Sequence, residues 1–124
     1  MKFSDLGLSS ELSRAVTDLG YGSPTPIQEK SIPVVLMGRD ILGSAQTGTG
    51  KTASFTLPMI DILASGRSKA RLPRSLILAP TRELAAQVAD SFEKFSVNNK
   101  LSMALLIGGV SFADQNAALS RGVD

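Results

Sequence analysis

Eight residues near the middle of the chain, Ala45-Gln46-Thr47-Gly48-Thr49-Gly50-Lys51-Thr52, constrain its fold more than any other stretch. They follow a short apolar run centred on Ile41 and Leu42 and precede a segment with helical periodicity that reaches about Ala64 and is closed by Gly66. A strand, a glycine-rich turn and a helix are therefore expected in that order. Gly48 and Gly50 allow backbone conformations that a side chain would hinder, so successive N–H groups can turn inward. Those amides, with the positive end of the following helix, form a seat for phosphate oxygens. Lys51 would reach the β- and γ-phosphates as a point charge, and the Thr52 hydroxyl would complete the shell of a phosphate-bound Mg²⁺. The usual pattern starts with glycine, and Ala45 stands there instead; one methyl still leaves room at the end of a strand. The loop by itself names no reaction, because kinases, transporters, GTPases and motors share it.

The rest of the chain alternates helix and strand. Leu12, Ala15, Val16 and Leu19 recur at helical spacing behind Ser9 and Ser10, which can cap. Pro26 can open a second helix as its first residue, and Pro33 is expected to kink or interrupt it before Gly38. Residues 40–45, 75–79 and 101–107 read as short strands with little polar alternation, as in a parallel sheet covered on both faces. Thr81 can cap a helix that carries Leu84, Val88, Phe92 and Phe95 on one face, and Ser111 with Asp114 suggests a capping box for the last one. The order β-α-β-α-β-α defines an α/β class with a parallel sheet flanked by helices.

Composition narrows the chemistry. The 124 residues contain no cysteine and no histidine, which excludes disulfides, thiolate nucleophiles and imidazole acid–base catalysis. Thirteen Lys and Arg against eleven Asp and Glu leave a charge of +2, too small to establish a nucleic-acid partner. No signal peptide and no membrane-spanning run are legible, so a soluble cytoplasmic protein is expected, with no membrane partner.

Two segments flank this frame with more specific chemistry. In Gly20-Tyr21-Gly22-Ser23-Pro24-Thr25-Pro26-Ile27-Gln28, the Gln28 amide carries both a donor and an acceptor. It could read the N6 amine and N7 of adenine together, and the Tyr21 ring offers a stacking face. In Ala79-Pro80-Thr81-Arg82-Glu83-Leu84-Ala85, a hydroxyl, an arginine and free amides coincide at a helix N-terminus, a natural phosphate seat. Arg82 in the first turn opposes the helix dipole, although Glu83 can partly answer it. Gly108-Gly109 ends the third strand, where exposed N–H groups could approach a backbone closely.

Together these residues resemble the DEAD-box RNA helicases, and the resemblance covers the whole chain. Phe3 with Gly20-Tyr21, Pro24-Thr25-Pro26-Ile27 and Gln28 is similar to the family's Q motif. The phosphate loop is similar to its motif I, where alanine is the usual first residue. Pro80-Thr81-Arg82-Glu83-Leu84-Ala85 is similar to motif Ia, and Gly108-Gly109 to the glycine doublet. The short N-terminal lead is similar to that of the bacterial members. The resemblance implies a P-loop NTPase of RecA-like fold, with residues 1–29 as a Q-motif region and 30–124 as an incomplete ATP-binding domain. It implies that Tyr21 stacks on adenine with Phe3 supporting it, that Gln28 reads the base edge, and that the Ser23 carbonyl also contacts it. ATP and Mg²⁺ would be held along 45–52, and Pro80, Thr81, Arg82, Gly108 and Gly109 would hold the backbone of single-stranded RNA. Ribosome-assembly or RNA-decay proteins would be the expected partners.

The family's Asp-Glu-Ala-Asp box and Ser-Ala-Thr motif do not occur in the 124 residues. Lys51 and Thr52 are therefore expected to bind ATP without hydrolysing it by themselves. In the family's sheet the strands carrying those motifs lie between the phosphate-loop strand and the motif Ia strand. The apolar flanks of 41–42 and 76–78 should then lack neighbours, and such edges favour aggregation. Two rival readings are a nucleotide-binding or regulatory module that never hydrolyses, and another P-loop ATPase or kinase. The basic stretch of Arg67, Lys69, Arg71 and Arg74 reads as a solvated loop.

Overall fold

The structure, a computed structural model, describes residues 1–66 and 72–124. A 3-10 turn, Phe3–Leu6, precedes five helices: α1 (Ser10–Asp18), α2 (Pro26–Leu36), α3 (Lys51–Ser65), α4 (Arg82–Phe95) and α5 (Phe112–Ser120). The Ser9 hydroxyl caps α1 by accepting from Leu12 N–H, and the helix buries Leu12, Ala15 and Val16. Leu19, expected on the same face, is instead the C-cap residue and 41% exposed. Pro26 opens α2 as expected. The expected break at Pro33 does not occur, and α2 runs on to Leu36. Proline there removes a single helical hydrogen bond, while Ile32 beside it is fully buried in the core.

α3 also contains a proline, Pro58, which the sequence reading did not flag. Its missing N–H leaves the Ser54 carbonyl without its helical donor. The Ser31 hydroxyl of α2 lies 3.4 Å from that carbonyl while donating at 2.6 Å to Ile27 O. The two helices thus meet at the proline rather than avoiding it. Leu12, Ile32, Leu57 and Ile60, each 0% exposed, form the centre of the core, with Phe3, Leu6, Val16, Phe92 and Phe95 around them. Burial of each such aliphatic side chain contributes on the order of 1.5–3 kcal/mol. The lead segment is held to α3 by polar contacts as well. Asp61 accepts from both the Ser9 N–H at 2.7 Å and the Ser9 hydroxyl at 2.6 Å.

The parallel sheet expected from 40–45, 75–79 and 101–107 is not formed among the described residues. These segments carry no strand ladder. A cleft of about 280 Å³ is lined by 75–79 and 102–106 together with Leu63, Val88 and Phe92. Across such a gap the amides and carbonyls of the two segments do not meet. Their apolar side chains stay uncovered: Leu42 is 100% exposed, Leu76 82% and Leu78 86%. Helix periodicity was satisfied by helix–helix packing, whereas these strands need neighbours that the described residues do not supply.

What joins the two segments is Asp124. Its N–H donates to Ser102 O, and its main-chain oxygen accepts from the N–H groups of Arg74 and Ser75. Its carboxylate accepts from Ser102 N–H at 3.0 Å and pairs with the Arg74 guanidinium at 2.6 Å. Arg74 also donates to the Leu63 and Gly66 carbonyls at the end of α3, groups with no partner inside the helix. Arg74 is therefore a structural cap rather than part of a solvated loop; Arg67, Lys69 and Arg71 lie outside the described residues.

Burial pushes the Asp124 carboxyl up, but the Ser102 amide and Arg74 outweigh it and hold it below its ordinary value of 3.8. A depressed folded-state pKa stabilises the fold above the unfolded value and loses that contribution as pH falls through the folded one. Thermal melts between about pH 3 and 7 should show an acid-side decline that Asp124→Asn flattens. In the core, Leu57→Ala should cost about 2–5 kcal/mol in urea unfolding, because the side chains around this fully buried residue relax only partly into the void.

Candidate functional site

α3 begins on a left-handed glycine, whereas the N-caps of the other helices are Ser or Thr. Ser9, Thr81 and Ser111 each place a hydroxyl on a helix amide of α1, α4 and α5. Its N-cap is Gly50 in the left-handed region, φ 83°, with no side-chain cap. The first helical bond runs from Ser54 N–H to Gly50 O, which leaves the amides ahead of it for an outside acceptor. Gly48 has φ 82°, so the loop turns twice through conformations that side chains rarely adopt. The Thr49 hydroxyl closes the turn by donating to Gln46 O at 2.6 Å. Lys51 is exposed at the first helical position, and Thr52 is half-buried beside it. Uncapped amides, a helix dipole and an ammonium group together form an anion seat.

The structure puts Gln28 directly against this loop. Its Nε2 donates to Gly50 O at 3.1 Å, and its Oε1 accepts from Thr25 N–H at 2.9 Å, one half of a capping box on α2. A Cβ on Gly50 would collide with the Gln28 amide and come within 3.3 Å of the Thr25 hydroxyl. Gly50 is therefore required twice, by its dihedral angle and by its neighbour. Gln28 is 2% exposed. The expectation that it offers its whole amide to a base is thus narrowed: one N–H and one lone pair remain after its protein contacts.

Tyr21 is half exposed, and the ring packed on it is Phe95, at 5.6 Å between centroids and 60° between planes. Phe3, expected to support Tyr21, is buried in the hydrophobic core. The sequence reading placed Phe95 on the apolar face of α4 but did not connect it with Tyr21. Only the tertiary fold joins residues so far apart. Ser23 lies exposed in the bend between Tyr21 and α2.

A second group forms where α4 begins. Thr81 caps the helix by accepting from Leu84 N–H at 3.1 Å, and Pro80 is exposed before it. Arg82 Nη1 donates to Gly108 O at 3.3 Å, and a Cβ on Gly109, φ 84°, would come 3.0 Å from that nitrogen. Segments 26 residues apart thus meet through this hydrogen bond. The contact of Arg82 is with Gly108 O rather than with Glu83. Ser111 caps α5 only loosely, at 3.5 Å from Asp114 N–H. One participant was missed: Gln115 of α5 donates to Ile107 O at 2.6 Å. A lone glutamine in a short helix carries no signal that it turns back onto the segment before it.

The glycine-rich loop ahead of α3 and the order of the helices accord with the P-loop class. A family model described as DEAD/DEAH box helicase matches residues 25–124, and the chain belongs to that family. Relatives include the ATP-dependent RNA helicase DeaD of Klebsiella pneumoniae, 47% identical over 121 residues, which cover 97% of this chain and 18% of that protein. The ATP-dependent rRNA helicase rrp3 of Aspergillus terreus is 47% identical over 119 residues, 96% of this chain and 26% of that protein. Among solved structures, a DEAD box protein from the hyperthermophile Methanococcus jannaschii superposes with a TM-score of 0.88 at 40% identity. It covers 96% of this chain, which spans 32% of that one. The RNA-helicase Prp28 from Chaetomium thermophilum, bound to ADP, also gives 0.88 at 40% identity, over 98% of this chain and 30% of that one. The chain thus spans about a fifth to a quarter of the length of these curated relatives. Family membership sets aside the kinase and transport-ATPase readings. Among the described residues, no helix is long and apolar enough to cross a membrane.

The two loop glycines differ in surroundings, since a Cβ on Gly48 meets nothing within 4 Å. Gly48→Ala should cost only the left-handed strain, roughly 1–2 kcal/mol. Gly50→Ala should cost more, because it also displaces Gln28. Urea unfolding of the two variants side by side checks the order.

Proposed function

We propose that this chain is the ATP-binding part of an ATP-dependent RNA helicase, an enzyme that hydrolyses ATP while it holds single-stranded RNA by its backbone and remodels duplexes. The observation that carries the reading is the uncapped start of α3, with left-handed Gly48 and Gly50 ahead of exposed Lys51. Residues 45–52 wrap the phosphate tail, Lys51 neutralises its outer charge, and Thr52 with phosphate oxygens holds Mg²⁺. When bound, Mg²⁺ supplies charge neutralisation at the phosphates. Tyr21 stacks on the adenine over Phe95, the Ser23 carbonyl contacts the base, and Gln28 reads its edge with the N–H and lone pair left to it. Residues 1–29 form the base-recognition region, with Phe3 anchoring it through the core, and 30–124 form the phosphate- and RNA-binding part of the domain.

At the other group, Pro80, Thr81, Arg82, Gly108 and Gly109 hold phosphates of the RNA backbone without reading sequence. The names of the relatives support RNA as the partner, and those named rRNA helicases favour ribosome assembly over RNA decay as the setting. A cytoplasmic location accords with that setting. The Asp-Glu-Ala-Asp sequence does not occur in the 124 residues. By themselves these residues bind ATP without turning it over, and hydrolysis belongs to the whole protein.

Titration calorimetry with Mg·ATP tests the reading. Lys51→Ala, which removes a charged contact, should weaken binding by roughly tenfold to a hundredfold. Gln28→Ala should erode the preference for ATP over GTP. Unchanged Mg·ATP affinity in Lys51→Ala would refute the nucleotide site.

A further inference from the structure

The glycine doublet is pinned from two helices at once. Gln115 Nε2 of α5 donates to Ile107 O at 2.6 Å, and Arg82 Nη1 of α4 donates to the next carbonyl, Gly108 O, at 3.3 Å. In a trans peptide the carbonyl and the following N–H point in opposite directions, and every peptide here is trans. Fixing Ile107 O inward therefore aims Gly108 N–H away from Gln115. Fixing Gly108 O aims Gly109 N–H away from Arg82. Gly108 and Gly109 are both exposed, and Gly109 holds φ 84°. Each of these successive amides is thus turned away from the side chain that holds its peptide, a geometry suited to a phosphate oxygen.

Of the two clamps, Arg82 also carries a charge, which acts on an RNA backbone at a distance. Gln115 is neutral and half-buried, and its Nε2 is directed at a main-chain carbonyl. We propose that Gln115 is a positioning residue for RNA-backbone binding: it holds the Ile107 carbonyl so that the amides of Gly108 and Gly109 face the phosphate. The proposal rests on the RNA reading above, and it assigns to α5 a role that its surface sequence does not advertise.

The test compares variants of the full chain by fluorescence anisotropy with labelled oligouridylate, alongside binding of a fluorescent ATP analogue. Gln115→Met keeps length and apolar bulk but removes the donor. It should weaken RNA binding roughly three- to tenfold and leave nucleotide affinity unchanged. Gln115→Glu, similar in shape and without a donor when ionised, should reproduce the loss and so separates donation from packing. Because Gln115 is uncharged, the salt dependence of RNA affinity should stay as in wild type, whereas Arg82→Ala should flatten the slope by about one. Combining Gln115→Met with Arg82→Ala should cost less than the product of the single losses, since both act on one turn. RNA affinity unaffected by Gln115→Met, or parallel loss of RNA and nucleotide binding, overturns the positioning role while leaving the RNA reading intact. Wild-type chain that binds nucleotide but no oligouridylate overturns the RNA reading, and this proposal with it.

Discussion

The contact between Gln28 and Gly50 is where the architecture closes. α2 and α3 each contain a proline, and neither could pack as it does with bulk at position 50, because a Cβ there would occupy the place of the Gln28 amide. The same glycine starts α3 in a left-handed turn and so keeps the first helix amides clear of any side-chain cap. A single absent side chain thereby joins two requirements. The segment ahead of α2 is brought against the phosphate loop, and the loop's amides are left for an anion. The Gln28 hydrogen bond to Gly50 O then links the proposed base-reading turn with the proposed phosphate seat over a few ångströms.

α4 extends this logic along the molecule. Its first turn carries Thr81 and Arg82 beside Gly108, and its last residue, Phe95, supports the Tyr21 ring. Between those ends, Val88, Ala89 and Phe92 are buried. One helix of 14 residues thus has a nucleic-acid candidate at its start and a base-stacking candidate at its end. The lead segment is secured independently through Ser9 and Asp61, a pair of short hydrogen bonds that ties the α1 cap to the middle of α3.

The helices were legible because their signals are local. Ser9, Pro26, Thr81 and Ser111 mark starts, and apolar residues three and four apart choose the buried face; all of this is decided within one or two turns of chain. The strand signals in 40–45, 75–79 and 101–107 are equally strong, yet no ladder follows among the described residues. A strand's hydrogen bonds belong to its neighbours, and propensity cannot provide them. The expected break at Pro33 failed for a related reason. The local loss at Pro33 or Pro58, about 3 kcal/mol for a proline inside a helix, is outweighed by packing of Ile32, Leu57 and their neighbours into the core.

The sequence by itself determined the glycine-rich loop, the hydroxyl caps of α1, α4 and α5 and the order of motifs, since each depends on residue type and spacing along the chain. Tertiary structure alone decided that Gln28 turns onto Gly50, that Phe95 rather than Phe3 backs Tyr21, that Arg74 and Asp124 bind two segments together, and that Gln115 holds the glycine turn. In each of these the partner is chosen by which surfaces the core brings together, so a side chain's contact across the fold is a property of packing and not of its neighbours in sequence.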